Sequence, residues 1–130
     1  MRLKVSVALL LGAALAGCAA PPPAAAPQAP ARPADVDGRY RGTARLIRAE
    51  QAGCPRSGAR VLQVRGATVT MSYMMAPRQL GQLTADIQPN GSIQASDGLG
   101  TLDGTLRDGQ LELTITSPMC ENHWSLTRVD

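Results

Sequence analysis

From Gly38 to the end of this 130-residue chain, apolar and polar side chains alternate, and that periodicity limits the fold more than any other feature. Tyr40, Gly42, Ala44 and Leu46 alternate with Arg39, Arg41, Thr43 and Arg45. Ala67, Val69, Met71, Tyr73 and Met75 alternate with Thr68, Thr70 and Ser72, and Leu83, Ala85 and Ile87 with Thr84, Asp86 and Gln88. Leu102, Gly104 and Leu106 continue the pattern, as do Leu111, Leu113 and Ile115. A period of two is the geometry of a strand with one face buried and the other in water. No stretch sustains the helical period.

The turn residues agree with the strands. Asn90-Gly91 and Asp108-Gly109 sit between alternating runs and supply the positive φ that tight hairpins need. Pro77, Gly98 and Pro118 mark further breaks. Together they predict eight strands: 38–48, 59–65, 67–75, 80–88, 92–96, 101–107, 110–116 and 120–129. The fold class is therefore all-β. A short eight-strand meander has two exposed edges unless it closes, so the expected architecture is a small antiparallel up-and-down barrel.

Such a barrel has little to fill it. Tyr40, Tyr73 and Trp124 are the only aromatics, so Leu, Ile, Val, Ala and Met must make the core. A domain this small buries a low fraction of its surface and calls for an added constraint.

The N-terminal third reads differently. Met1-Arg2-Leu3-Lys4 is a short positive segment, and Val5 to Ala14 is an almost unbroken apolar run too short to span a bilayer. Leu15-Ala16-Gly17-Cys18 follows, and in this position it resembles the lipobox of bacterial lipoproteins. The resemblance implies a signal peptide at 1–17 and acyl chains on Cys18 that attach the protein to a membrane. Ala19 after the cysteine, by the same resemblance, points to the outer membrane, facing the periplasm. Residues 18–37 hold six of the ten prolines and form a Pro/Ala-rich tether favouring extended polyproline geometry. At about 3.1 Å per residue it reaches up to ~60 Å from the membrane. The β domain then occupies 38–130.

Acylation of Cys18 leaves Cys54 and Cys120 as the remaining two of three cysteines. In an oxidising compartment they are expected to form a disulfide, the constraint the small core needs.

The two ends of the domain carry a second resemblance. Gly38-Arg39-Tyr40 opens the first strand and Trp124-Ser125-Leu126-Thr127-Arg128 ends the last. This is similar to calycins, where a Gly-x-aromatic on the first strand meets an Arg from the last; here the aromatic is Tyr. Gly38-x-Tyr40, a single disulfide and Leu126-Thr127-Arg128 also look like the small β-barrel protease inhibitors of Gram-negative bacteria. These resemblances imply two roles, inhibition of an exported protease or lysozyme and carriage of a small apolar ligand.

Charge is informative in its distribution. Arg2 and Lys4 account for two of the 13 basic residues, which leaves 11 against 10 acidic ones, too little for a nucleic-acid partner. Residues 32–78 hold nine Arg and three acids, and 79–130 two Arg and seven acids. Pairing between the halves across strands is the expected outcome. Arg39, Arg41 and Arg45 nevertheless line the outer face of the first strand, a ridge able to hold phosphate-bearing envelope polymers by bidentate bonds.

Other constellations carry less. Cys120-x-x-His123 with Cys54 has zinc-like spacing, but a disulfide and a surface histidine explain it. Met71, Met74, Met75, Met119 and His123 suggest a soft-metal site, yet alternation splits the methionines between faces. Asp97-Gly98, Asp103-Gly104 and Asp108-Gly109 read as turns, not calcium ligands. No serine has a credible base and orienting acid, so neither catalysis, metal nor cofactor is expected. The sequence thus describes a non-catalytic envelope lipoprotein whose β domain binds an unidentified envelope protein or polymer, or supports envelope structure.

Overall fold

The computed structural model describes Pro23 and residues 35–130. Eight strands follow one another: β1 Gly38–Ala49, β2 Gly58–Val64, β3 Thr68–Ala76, β4 Gln79–Asp86, β5 Ser92–Ser96, β6 Thr101–Arg107, β7 Gln110–Thr116 and β8 Cys120–Arg128. No helix occurs among the described residues. Each boundary lies within two residues of its expected position, because the alternation and the turn residues mark the same places.

All strand pairs are antiparallel, but they fall into two sheets. Six strands run in the order β2-β1-β8-β7-β6-β5, and β3 and β4 form a separate hairpin. First and last strands pair along nearly their whole length, from Tyr40↔Arg128 to Ala49↔Cys120. The hydrogen-bonded ladders do not close into the expected barrel. β2 meets β3 only through the bridge Arg65↔Thr68, and β4 lies against β5 at the bridge Ile87↔Ile93.

Side chains fasten the hairpin where ladders are missing. Tyr73 of β3 places its ring against Gly81 of β4 and Gly100 beside β6. A Cβ on either glycine would come within 2.5 or 2.8 Å of ring carbons. Its hydroxyl donates to the Asp97 carboxylate in the β5–β6 turn. The hairpin is thus tied to the six-stranded sheet through an aromatic wedge. Between the two sheets lies one core, in which Tyr40, Val64, Val69, Ile93, Leu102, Leu111, Leu113 and Leu126 are fully buried. Each such aliphatic side chain contributes about 1.5–3 kcal/mol by leaving water.

Two details differ from the sequence expectation. Ala67 is not a strand residue; with Gly66 it forms a two-residue turn, φ 59° and 55°. Positive φ costs a residue with a Cβ about 1–2 kcal/mol. Asp37 offsets this, because its carboxylate accepts from the amides of both Gly66 and Ala67 at 2.7 Å. In addition, residues 35–37, which precede the first run of alternation, pack against the strands. Val36 is buried, and its carbonyl accepts from the Tyr40 hydroxyl at 2.8 Å.

Candidate functional site

The structure joins Cys54 to Cys120, with Cα atoms 5.6 Å apart. The bridge ties the loop after β1 to the start of β8, and both cysteines are buried. Around it the Glu50 amide donates to the Met119 carbonyl, and the Arg48 guanidinium to the Ser117 carbonyl, both at 2.8 Å. Cys18 lies outside the described residues.

Arg39, Arg41 and Arg45 project from the outer face of β1 and are exposed, as the alternation requires. Their electrostatic surroundings differ. Arg39 pairs with the Asp130 carboxylate at 3.2 Å. Among the described residues, Arg41 and Arg45 have no carboxylate within ion-pair distance. Their cross-strand neighbours are Val61 and Thr127 for Arg41, and His123 for Arg45. The expected pairing between the halves of the chain is realised at Arg39–Asp130, Arg48–Glu121 and Arg128–Asp35, but it stops short of the middle of the ridge.

At the end where the chain enters the domain, β1 and β8 bring Gly38, Tyr40 and Arg128 together. Tyr40 and Arg128 are direct register partners. Arg128 donates to three carbonyls: Asp35 and Asp37 at 2.6 Å and Asp130 at 2.8 Å. It lies so close over Gly38 that a Cβ there would sit 2.9 Å from its Nε. Burial pushes the Tyr40 hydroxyl above its ordinary pKa of 10.0, with Arg128 acting in the other direction. The amide bonds from Ala67 and Gly66 hold the Asp37 carboxyl below 3.8. Beside this cluster opens a cavity of about 340 Å³, whose apolar wall is Val36, Tyr40, Ile87, Pro89 and Leu106.

The opposite end holds a polar arrangement that the sequence reading did not single out. Arg60 faces inward from β2, with its guanidinium 5.8 Å from the centre of the Trp124 ring. Asn122 is 3% exposed, and its Oδ1 has no hydrogen-bond partner among the described residues. It borders a cavity of about 20 Å³ shared with Tyr73, Trp124 and the Cys120 side of the disulfide. The alternation places residue 122 inward, so an Asn at that parity was the available signal.

On the outer face of β7 and β8, Glu112 accepts from Ser125 at 2.6 Å and contacts His123 Nε2 at 2.9 Å. His123 Nδ1 lies 3.1 Å from the Thr114 hydroxyl. Carboxylate, imidazole and hydroxyl thus form a chain that the sequence did not disclose, because its members come from two strands. The neighbouring backbone lies within the β6–β7–β8–β1 ladders. The zinc-spaced set does not assemble, because its two thiols are in the disulfide, and His123, on the outer face, points away from the buried Met71. No cluster of three His, Cys, Asp or Glu suited to a metal occurs among the described residues.

Comparison with protein-family models, with curated proteins and with solved structures returned no match.

Proposed function

We propose that this chain is a non-catalytic lipoprotein of the bacterial cell envelope that displays its β domain as a binding module on a Pro/Ala-rich tether. One observation carries the reading. The Cys54–Cys120 disulfide uses two of the three cysteine sulfurs, and the third is that of Cys18, in the Leu15-Ala16-Gly17-Cys18 motif. A disulfide suits an oxidising compartment. Two or more acyl chains at Cys18 would anchor the protein stably, and Ala19 favours the outer membrane facing the periplasm. The small barrel-like order of the strands, β1 beside β8, supports a rigid display platform even with its two seams.

Membrane fractionation tests the anchor. The parent should pellet with membranes, and its intact mass should show diacylglycerol on residue 18. Cys18→Ser should lose that mass. A soluble parent, or an unmodified Cys18, would refute the anchor.

A second reading, carriage of a small apolar ligand, is favoured by the 340 Å³ cavity, which falls in the range of small-molecule sites. Protein purified from cells should then retain a ligand in native mass spectra, and Leu106→Trp, which fills the cavity, should expel it. Ligand-free spectra of the parent would remove this reading.

A further inference from the structure

The outer face of β1 and β2 combines cations, of which Arg41 and Arg45 have no carboxylate partner among the described residues, with exposed aliphatic side chains. Along β1 it carries Arg39, Arg41, Thr43 and Arg45, and along β2 Ala59, Val61 and Gln63, with Arg65 just beyond the strand's end. Val61 lies opposite Arg41 and is 54% exposed. Val129, whose amide donates to the Arg39 carbonyl, is 48% exposed, and Ile47, at the irregularity in the β1–β8 ladder, is 47% exposed. These are three of the five exposed large hydrophobics among the described residues, so the apolar surface is concentrated beside the arginines. Neither β1 nor β2 contains an acidic residue.

The position of the chain's entry matters. Asp35 is held by Arg128 at the same end as Arg39 and Val129. Sixteen residues, 19–34, separate Asp35 from Cys18, and even fully extended they span only about 50–60 Å. A membrane anchored at Cys18 would therefore always lie within a domain diameter or two of this face, at high effective concentration. Guanidinium groups bind phosphate bidentately, and aliphatic side chains between them enter the headgroup layer.

We propose that the β1–β2 face lies against an anionic phospholipid surface, with Arg41 and Arg45 on lipid phosphates and Val61, Ile47 and Val129 among the headgroups. The proposal rests on the lipid-anchor reading for its geometry. Each arginine near such a surface contributes enough that removing two should weaken surface contact about 30-fold.

The test uses the full acylated chain, isotope-labelled, in nanodiscs carrying a paramagnetic headgroup lipid. With phosphatidylglycerol present, amides of β1, β2 and residues 129–130 should relax faster than those of β3–β6. In phosphatidylcholine alone, or in the Arg41→Gln/Arg45→Gln variant, this excess should vanish while the unfolding midpoint stays unchanged. Equal relaxation of all strands in both lipids, or an excess centred on the β3–β4 hairpin, would overturn the proposal. Intact mass of the same sample reports the anchor separately. If Cys18 proves unmodified, phosphatidylglycerol vesicles are titrated into the full chain. A 30-fold drop for the double variant upholds the face without the anchor, and equal binding of variant and parent overturns it.

Discussion

Removing the Cys54–Cys120 bridge should cost this domain a large share of its stability. The two cysteines are 66 residues apart in sequence. In the chain-entropy account, releasing a loop of that length returns about 14.6 cal/mol/K to the unfolded ensemble, or about 4.4 kcal/mol at 25 °C. Domains of this size are stable by about 5–15 kcal/mol in total, so the loss leaves the fold marginal. The contacts around the bridge do not replace it. The bond from Glu50 to Met119 and those from Arg48 exist only in the folded state, whereas the entropic effect acts on the unfolded one. Equilibrium urea unfolding followed by the single tryptophan, Trp124, measures the difference. At an m-value of about 1.5 kcal/mol/M, the midpoint of Cys54→Ala/Cys120→Ala should fall by ~3 M relative to the oxidised parent. The parent unfolded under reducing conditions should follow the double variant. A loss below about 1 kcal/mol in both would refute the reasoning, since it would mean that the unfolded chain is already compact or that the loop ends are held by other means.

Three further outcomes follow from named contacts. The Asp37 and Asp97 carboxyls are held below their ordinary pKa of 3.8 by backbone amides, from Ala67 and Gly66 for Asp37 and chiefly from Gly100 for Asp97. Their stabilisation is complete above the unfolded value and is lost as pH falls through the folded one. Acid titration of the melting temperature should therefore drop below pH 3.8, and Asp37→Asn/Asp97→Asn should flatten that drop; an unchanged slope would count against both cradles. Asn122→Leu removes a buried acceptor that has no partner among the described residues and should raise stability by about 1 kcal/mol in urea unfolding. Lower stability would show that something outside the chain satisfies that oxygen. Gly100→Ala should lower stability by about 1–3 kcal/mol, since its Cβ would meet the Tyr73 ring at 2.8 Å, and a neutral result would mean the ring can yield.

Strand positions were legible because burial on one face writes itself into every second residue. Val69, Met71 and Tyr73 are buried, and Thr70 and Ser72 exposed, as their alternation requires. The closure of the sheet was not legible, since it depends on whether β2 pairs with β3, and β4 with β5, beyond a single bridge each, and no local pattern encodes that pairing. Ala67 was misplaced because the decisive partner, Asp37, lies 30 residues earlier. The Arg39–Arg45 ridge was readable as a face. Which of its members stay without a carboxylate was not, because Asp130 reaches Arg39 only through the β1–β8 register. The Glu112–His123–Thr114 chain and the Arg60–Trp124 contact were hidden for the same reason, each joining residues from different strands.

The uneven charge of the chain acquires a physical meaning from the strand order. A basic first half and an acidic second half would cancel if every β1 arginine met an acid on β8, its neighbour. The register allows this only at the margins: Arg39 meets Asp130 at one end, and Arg48 meets Glu121 at 3.9 Å and Glu50 at the other. Between them β8 offers Thr127, Ser125 and His123, and Glu112 on the next strand is engaged by Ser125 and His123. The middle of β1 is therefore left cationic by register, not by excess of arginine. On its other side β2 presents Val61, exposed, and no acid. A solvated strand face gains nothing from that combination, because isolated surface charges contribute little to stability and an exposed valine contributes none. Under the proposal of a lipid anchor, an anionic, partly apolar surface would find both parts of this combination, and the entry of the chain at Asp35, beside Arg39, is where it would arrive.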